Sequence, residues 1–394
     1  MNAGTGAILY EKNMHQPHYP ASITKIATAL YALNKVPGDL QVMIAADQDC
    51  VGTVTEEALR KSRYTLPAYL LIPGGSHIGI KKGEILSLQD LLYGMMLASG
   101  DDAANVIAKY AGGTVPQFME EVNRYIRKIG CRNTVFYNPH GLHHPKQLTT
   151  AYDMAILTCE ALKNPKFREI VKTVSYKRPK TNKQEASNLV QTNRLLRKGP
   201  YHYPKAIGVK TGYYSIAGST LVAAACDGER TLIAVLLKTQ ERKDIFNDAK
   251  MMFETAFNQP KIQRVLFYKG PQAFVFENGN IPIKIGTYLK QDVALDYYPA
   301  EEPQVTCVLS WDEQVSLPVE KDQHVGDLLV RAHGKTVSAH PLYTQEAVHP
   351  TFVSQLQNLS KLDKSNVFLL KIIGASLLIA FFCFLVLQLK RRRK

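Results

Sequence analysis

From Val367 to Leu389 the chain is apolar or small throughout, apart from Lys371 near one end and Gln388 near the other. These 23 residues are long enough to cross the hydrocarbon core of a bilayer as a helix. Lys371 can snorkel to the interface. Lys390-Arg-Arg-Arg-Lys394 follows at once, and a buried core helix would not end in five consecutive cations. The positive-inside rule places this tail in the cytoplasm, so everything ahead of the span is expected outside it, as a single-pass protein of the cytoplasmic membrane. An exported domain needs an export signal. Met1-Asn-Ala-Gly-Thr-Gly6 has neither a charged n-region nor an apolar h-region, so a leader is expected upstream of Met1.

The chain of 394 residues is ample for a large core, and 45% hydrophobic with 21% charged residues is a globular composition. Its formal net charge of +14 is spread along the chain without zinc-finger spacing or an aromatic-basic stripe, so no nucleic-acid partner is read from it. A positive surface suits an acidic polymer or an anionic membrane. Six cysteines are scattered without CxxC or metal spacing, which implies neither a disulfide framework nor a metal site.

The spacing of apolar residues predicts a strand at Ala7–Tyr10 and helices at Ser22–Leu33, Ser87–Tyr110 (broken at Ser99-Gly-Asp-Asp102), Phe118–Ile129, Thr149–Leu162 and Arg242–Phe257. Strands at Ser219–Cys226 and Thr231–Lys238 are joined by a hairpin signal, Asp227-Gly-Glu-Arg230. Beyond Gln263, short alternating runs separated by Gly, Pro and Asn read as a small all-β domain. The expected class is α/β of the α+β kind: an antiparallel sheet covered by helices, a small all-β domain, then a C-terminal transmembrane helix. The expected divisions are 1–262 for the helical and sheet domain, 263–346 for the β-rich domain, 347–366 for a stalk, 367–389 for the span and 390–394 for the tail.

Three short motifs occur in order: Ser22-Ile-Thr-Lys25, Ser99-Gly-Asp101 and Lys210-Thr-Gly212. Residues three apart on a helix share a face, so the Ser22 hydroxyl and Lys25 amine can meet. A serine hydroxyl becomes a nucleophile when a base takes its proton, and a lysine serves once burial and a neighbouring cation lower its pKa. Lys210 is such a cation, and it can also grip a carboxylate. A helix start adds an exposed amide near Ser22 for an oxyanion. Each motif alone is weak: Ser-x-x-Lys is an ordinary helix face and Lys-Thr-Gly an ordinary turn. Their order and settings (helix start, loop between helices, sheet strand) carry the weight.

With these motifs and the blocks Asp90–Ser99, Phe136-Tyr-Asn-Pro-His-Gly-Leu142 and Gly208–Tyr213, the chain resembles the low-molecular-mass penicillin-binding proteins, the D-alanyl-D-alanine carboxypeptidases of serine peptidase family S11. The resemblance covers residues 1 to about 257. It implies the penicillin-binding/β-lactamase-like transpeptidase fold and removal of the terminal D-alanine from cell-wall stem peptides through a Ser22 acyl-enzyme. It further implies Lys25 as base, Ser99 as proton relay, and Asp101, Lys210, Thr211, Gly212 and Tyr213 around the substrate. The amides of Ser22 and Tyr213 would form the oxyanion hole. No metal or organic cofactor is implied, and β-lactams would be covalent inhibitors.

Two departures from the family pattern stand out. The family usually has Asn where this chain has Asp101, and a carboxylate accepts hydrogen bonds without donating any. The chain also starts inside what should be an early strand. Other readings of the same residues are a D,D-endopeptidase cutting cross-links, a β-lactamase, or a peptidoglycan-binding scaffold that has lost its chemistry. His140, His143 and His144 read as loop residues, and Arg242 as a solvated charge at a helix start.

Overall fold

Small and apolar residues after Lys25 let one helix be buried around most of its circumference, and the first unit is arranged around it. The computed structural model describes residues 1–278 and 281–349. A 3-10 turn, Ala21–Thr24, passes directly into helix α1, Lys25–Lys35, where Ile26, Ala27, Ala29, Leu30, Ala32 and Leu33 are all buried. A helix with apolar residues around most of its circumference belongs in a core, and its three alanines let neighbours approach closely. Strand β1 (Met43–Ala45) pairs antiparallel with β2 (Ile85–Ser87), with the short helices α2 (Gln48–Val51) and α3 (Glu56–Lys61) between them in the chain.

Helices α4 (Leu88–Leu97), α5 (Asp101–Gly112), α6 (Val115–Lys128), α7 (Ala151–Lys163) and α8 (Pro165–Lys172) share one apolar cluster with α1. Their starts are written locally. Ser87 and Asp90 form a capping box on α4, while Thr114, Thr150 and Asn164 cap α6, α7 and α8 through side-chain oxygens. The hairpin β3 (Ser175–Arg178) and β4 (Ser187–Val190) is tied to the segment before β2 by a buried ion pair, Arg178 Nη1 to Glu84 Oε1 at 3.2 Å.

Behind the helices lies an antiparallel sheet of β5 (Ala206–Tyr214), β6 (Gly218–Cys226) and β7 (Thr231–Thr239). Strand β6 is covered on both faces, which its near-continuous apolar sequence requires. Val222 and Ala224 join the helical cluster, while Leu221, Ala223 and Ala225 pack with Ile245, Phe246, Ala249 and Phe253 of α9 (Asp244–Phe257). The expected strand at Ala7–Tyr10 is not formed. Met1–Ala3 occupies the edge of β7 instead, bridging Asn2 to Leu232, and the Asn2 amide donates back to Ala7 O, closing a turn. Ile8 and Tyr10 are left exposed.

Met1–Pro260 forms one compact unit together with Tyr298–Glu301. Those four residues are held by Arg230, whose guanidinium lies 3.0 Å from Glu301 Oε1 and over the Tyr298 ring. The second unit, Lys261–Tyr297 with the residues from Glu302, is built of strands. Ladder β8 (Ile262–Phe267) pairs with β11 (Val293–Tyr297). A five-stranded antiparallel sheet also contains β9 (Gly270–Asn278), β10 (Ile281–Leu289), β12 (Val305–Trp311), β13 (His324–Ala332) and β14 (Lys335–Thr344), in the order β12-β13-β14-β10-β9. Its apolar residues fall into two small clusters, around Phe276 and around Leu328. The apolar run 367–389, the basic tail and all but the first residues of the expected stalk lie outside the described residues. Among the described residues no helix is long and apolar enough to cross a membrane.

Candidate active site

The site grows from the turn that precedes α1. Ala21 has left-handed backbone (φ 51°), unusual for a residue with a side chain, and is buried. The Thr24 hydroxyl donates to Ala21 O at 2.9 Å, and the Thr220 hydroxyl of β6 donates to Pro20 O at 3.0 Å. The turn is thereby pinned to its own helix and to the sheet, with Ser22 projecting from it. Lys25, one turn on, is fully buried, with its Nζ 2.9 Å from Ser22 Oγ, 2.6 Å from Asp101 Oδ1 and 2.6 Å from His140 O.

The chemistry of those three neighbours decides what Lys25 can do. A carboxylate and a carbonyl only accept, so each requires an N–H from the amine. A neutral amine has two N–H groups and one lone pair. A charged amine gives one N–H to each of the three neighbours; once neutral, with both N–H groups directed to Asp101 and His140, its lone pair faces the one partner that carries a proton, the Ser22 hydroxyl. Burial lowers the Lys25 pKa, and this outweighs the Asp101 carboxylate, which raises it.

Lys210 shares the same buried region. Its pKa is pushed well down by burial and by Lys25, against the pull of Asp101, with Arg242 adding to the depression. The sequence reading treats Lys210 as a fixed cation. In the structure the two buried amines share the Asp101 carboxylate, with Asp102 acting on Lys25 alone, so a further anion, such as a substrate carboxylate, would favour charge on Lys210. Its Nζ donates to Thr211 O at 3.0 Å, and the Thr211 hydroxyl donates to Thr192 at 2.8 Å.

Strand β5 reaches the nucleophile through a glycine. A Cβ at Gly212 would overlap the Thr220 hydroxyl and lie 2.8 Å from the Ser22 amide nitrogen. Only a residue without a side chain allows the strand this close. Tyr213, next along, is mostly exposed, and Ser99 is buried in the left-handed corner (φ 64°) that joins α4 to α5, two residues before Asp101. Lys25 is therefore in direct contact with both Ser22 and Asp101, Gly212 abuts the Ala21–Ser22 turn, Lys210 interacts electrostatically with Lys25 and Asp101, and Ser99 lies at the Asp101 corner. Asp102 works elsewhere: its carboxylate accepts from the amides of Ile78 and Ile80, holding the segment whose Ser76 carbonyl accepts from the Asp101 amide.

Residues 136–147 supply what sequence reasoning passed over. Asn138 Oδ1 accepts from the Gly141 amide, Gln147 Oε1 accepts from the Tyr137 and Asn138 amides, and the Thr28 hydroxyl of α1 donates to Pro139 O at 2.6 Å. Burial lowers the His140 pKa to about 4, so its ring is neutral near pH 7. Its Nδ1 accepts from the Leu142 amide, which assigns the proton to Nε2, 3.2 Å from Tyr69 O. His140 thus acts as a post within the loop, and its backbone carbonyl is a Lys25 partner. The Asn-Pro-His-Gly run is the signal that marks the loop.

The chain matches the family model described as D-alanyl-D-alanine carboxypeptidase over residues 1–241. It is 30% identical over 353 residues to the D-alanyl-D-alanine carboxypeptidase DacF of Bacillus subtilis, covering 87% of this chain and 82% of that protein. Penicillin binding protein 5 from Haemophilus influenzae has a similar fold, with a TM-score of 0.58 at 24% identity over 89% of this chain and 96% of that one. The Streptomyces K15 DD-transpeptidase matches with a TM-score of 0.55 at 28% identity, covering 65% of this chain and 94% of that one.

Proposed function

The chain belongs to the D-alanyl-D-alanine carboxypeptidase family, serine peptidase family S11, and from that premise we propose how its site works. The protein is a serine-type carboxypeptidase that removes the terminal D-alanine from peptidoglycan stem peptides. Ser22 Oγ attacks the carbonyl of the penultimate D-alanine while its proton passes to the Lys25 lone pair. The oxyanion is stabilised by the amides of Ser22 and Tyr213, and Lys210 with Thr211 holds the substrate carboxylate. The C–N bond breaks and D-alanine leaves with a proton relayed through Ser99. Water then hydrolyses the Ser22 ester and restores the hydroxyl. β-Lactams acylate the same oxygen. The observation that carries this reading is the Lys25 environment: the buried amine touches Ser22 Oγ and two pure acceptors, so on losing its proton it keeps its N–H groups on the acceptors and turns its lone pair to the serine.

The run 367–389 with its five-cation tail supports a single-pass anchor, with the catalytic unit on the outer face of the cytoplasmic membrane. The test of the activity is release of free D-alanine from a stem pentapeptide, set beside cleavage of cross-linked dimers and of a chromogenic β-lactam. Release from the pentapeptide should be the fastest. Faster cleavage of dimers would make the protein an endopeptidase. A folded, full-length protein that neither releases D-alanine nor binds fluorescent penicillin would be a scaffold.

Asp101 sets the pH at which this chemistry starts. Acylation requires neutral Lys25, so its rate rises as pH climbs through the Lys25 pKa, and Asp101 holds that pKa higher than burial alone would. Asp101→Asn removes the negative charge but keeps an acceptor. The acidic limb of the acylation rate is expected to move down by about one pH unit or more, leaving acylation at pH 6 as fast as in the wild type or faster. Stopped-flow acylation by a fluorescent penicillin across pH 5–9 reads this. A large loss at every pH would show that the carboxylate has a role of its own.

A further inference from the structure

Acylation changes what surrounds the Lys25 amine. In the free site its neighbours are two pure acceptors, Asp101 Oδ1 and His140 O, and one hydroxyl, Ser22 Oγ. Once an acyl group sits on Ser22, that oxygen has no proton to give, and all three neighbours are acceptors. An ammonium has the three N–H groups that match them, and a neutral amine does not. Lys25 in the acyl-enzyme is therefore drawn to its charged form, which has no lone pair and takes no proton from water. The base that hydrolyses the ester has to be another group.

Asp101 is placed to be that group, because only one of its oxygens is spent. Oδ1 lies 2.6 Å from Lys25 Nζ, while Oδ2 makes no hydrogen bond among the described residues and is not closed off from solvent. Gly75 borders this second oxygen. A Cβ there would lie 2.8 Å from Oδ2, so the missing side chain keeps it uncovered. The Lys25 contacts of 2.9 and 2.6 Å together put Asp101 Oδ1 within about 5.5 Å of Ser22 Oγ, a gap that one water touching carboxylate and acyl carbon can bridge.

The other titratable groups around Asp101 are committed elsewhere. Asp102 accepts from the amides of Ile78, Ile80 and Ala103. The His140 ring is neutral, with Nδ1 taken by the Leu142 amide, and His77 donates from Nε2 to Ile72 O. Lys210 interacts with Asp101 from β5, where it faces the substrate carboxylate.

We propose that Asp101 is the general base of deacylation, an assignment that rests on the Ser22 acyl-enzyme reading. As the water oxygen bonds to the acyl carbon, its proton passes to Asp101 Oδ2. The C–Oγ bond then breaks, and Ser22 Oγ takes a proton from the Lys25 ammonium. Asp101 releases its proton to solvent, Lys25 is left neutral for the next attack, and the product leaves as the acid. A penicilloyl ester on Ser22 meets the same base, which gives slow turnover of penicillin.

Asp101→Asn keeps the shape of the side chain and removes the base. Wild type and variant are pulse-labelled with fluorescent penicillin, freed of excess reagent, and followed for loss of label across pH 5–9. Label acquired by the variant certifies a folded site, so slow loss is not misfolding. Loss should be slower by about a hundredfold in the variant, and at every pH. With a stem pentapeptide, kcat and KM should fall together while kcat/KM, set by acylation, holds. Loss of label within about twofold of the wild-type rate overturns the proposal. So does a variant profile merely displaced along the pH axis with its plateau unchanged, since the carboxylate would then act through the charge on Lys25 alone. Equal falls in kcat and kcat/KM would place the loss in acylation and also overturn it. A folded wild type that takes no label would remove the Ser22 acyl-enzyme itself, and this step with it.

Discussion

Ser22→Ala is expected to abolish covalent labelling by fluorescent penicillin and to lower D-alanine release by at least about a thousandfold, with the fold intact. The size follows from the site. Ser22 Oγ is the atom in contact with Lys25 Nζ, and removing it leaves the amine with two pure acceptors and nothing to deprotonate. What remains is the binding of substrate and the polarising amides, which speed attack by water only modestly. The structural loss is small, because Ser22 belongs to a turn held by Thr24 and Thr220 rather than by its own side chain. Gel fluorescence, D-alanine release and a thermal melt on the same preparation separate these effects. Labelling that persists in a folded Ser22→Ala protein would remove Ser22 as the nucleophile and sink the mechanism.

Gly141→Ala is expected to have the next largest effect although Gly141 has no chemistry. Gly141 has φ 98°, a region open to glycine, and a Cβ there would overlap the carbonyl carbon and oxygen of Ala21 and lie 2.9 Å from the Ser22 amide nitrogen. Either the 138–142 loop or the 20–22 turn must move. The first takes the His140 carbonyl away from Lys25, and the second takes Ser22 away from it. Misplacement of a reacting group by about 1 Å costs on the order of a hundredfold, so acylation should slow by about that factor or more. Stability should also fall, by roughly 1–3 kcal/mol, for an alanine forced to positive φ. Gly38→Ala is the control. Gly38 also has positive φ (123°), but a Cβ there meets nothing within 4 Å. It should lose stability and keep its acylation rate. Equal acylation rates in Gly141→Ala and wild type would show that the loop does not position the nucleophile.

Much of this arrangement was legible along the chain because it is local. Periodicity located α4 and α5 with the break between them, since the Ser99–Asp102 step interrupts an apolar repeat that each helix needs to bury its face. The β6–β7 hairpin was legible from its turn residues. The Ser22–Lys25 contact followed from a three-residue spacing, which places two side chains on one helix face whatever lies beyond it. The strand read at Ala7–Tyr10 failed for a non-local reason: backbone pairing depends on which edge is free, and Met1–Ala3 takes the edge of β7.

The amino-acid order by itself determined which groups carry the chemistry and that a short helix turn would bring the hydroxyl to the amine. Only the tertiary structure decided the state of that amine. His140, Asp101 and Lys210 come from a loop, a helix start and a strand separated by between 70 and 190 residues from Lys25 in the chain. Their effect is set by burial and by distances of a few ångströms, which no spacing encodes, because a pKa responds to everything that surrounds the group in space.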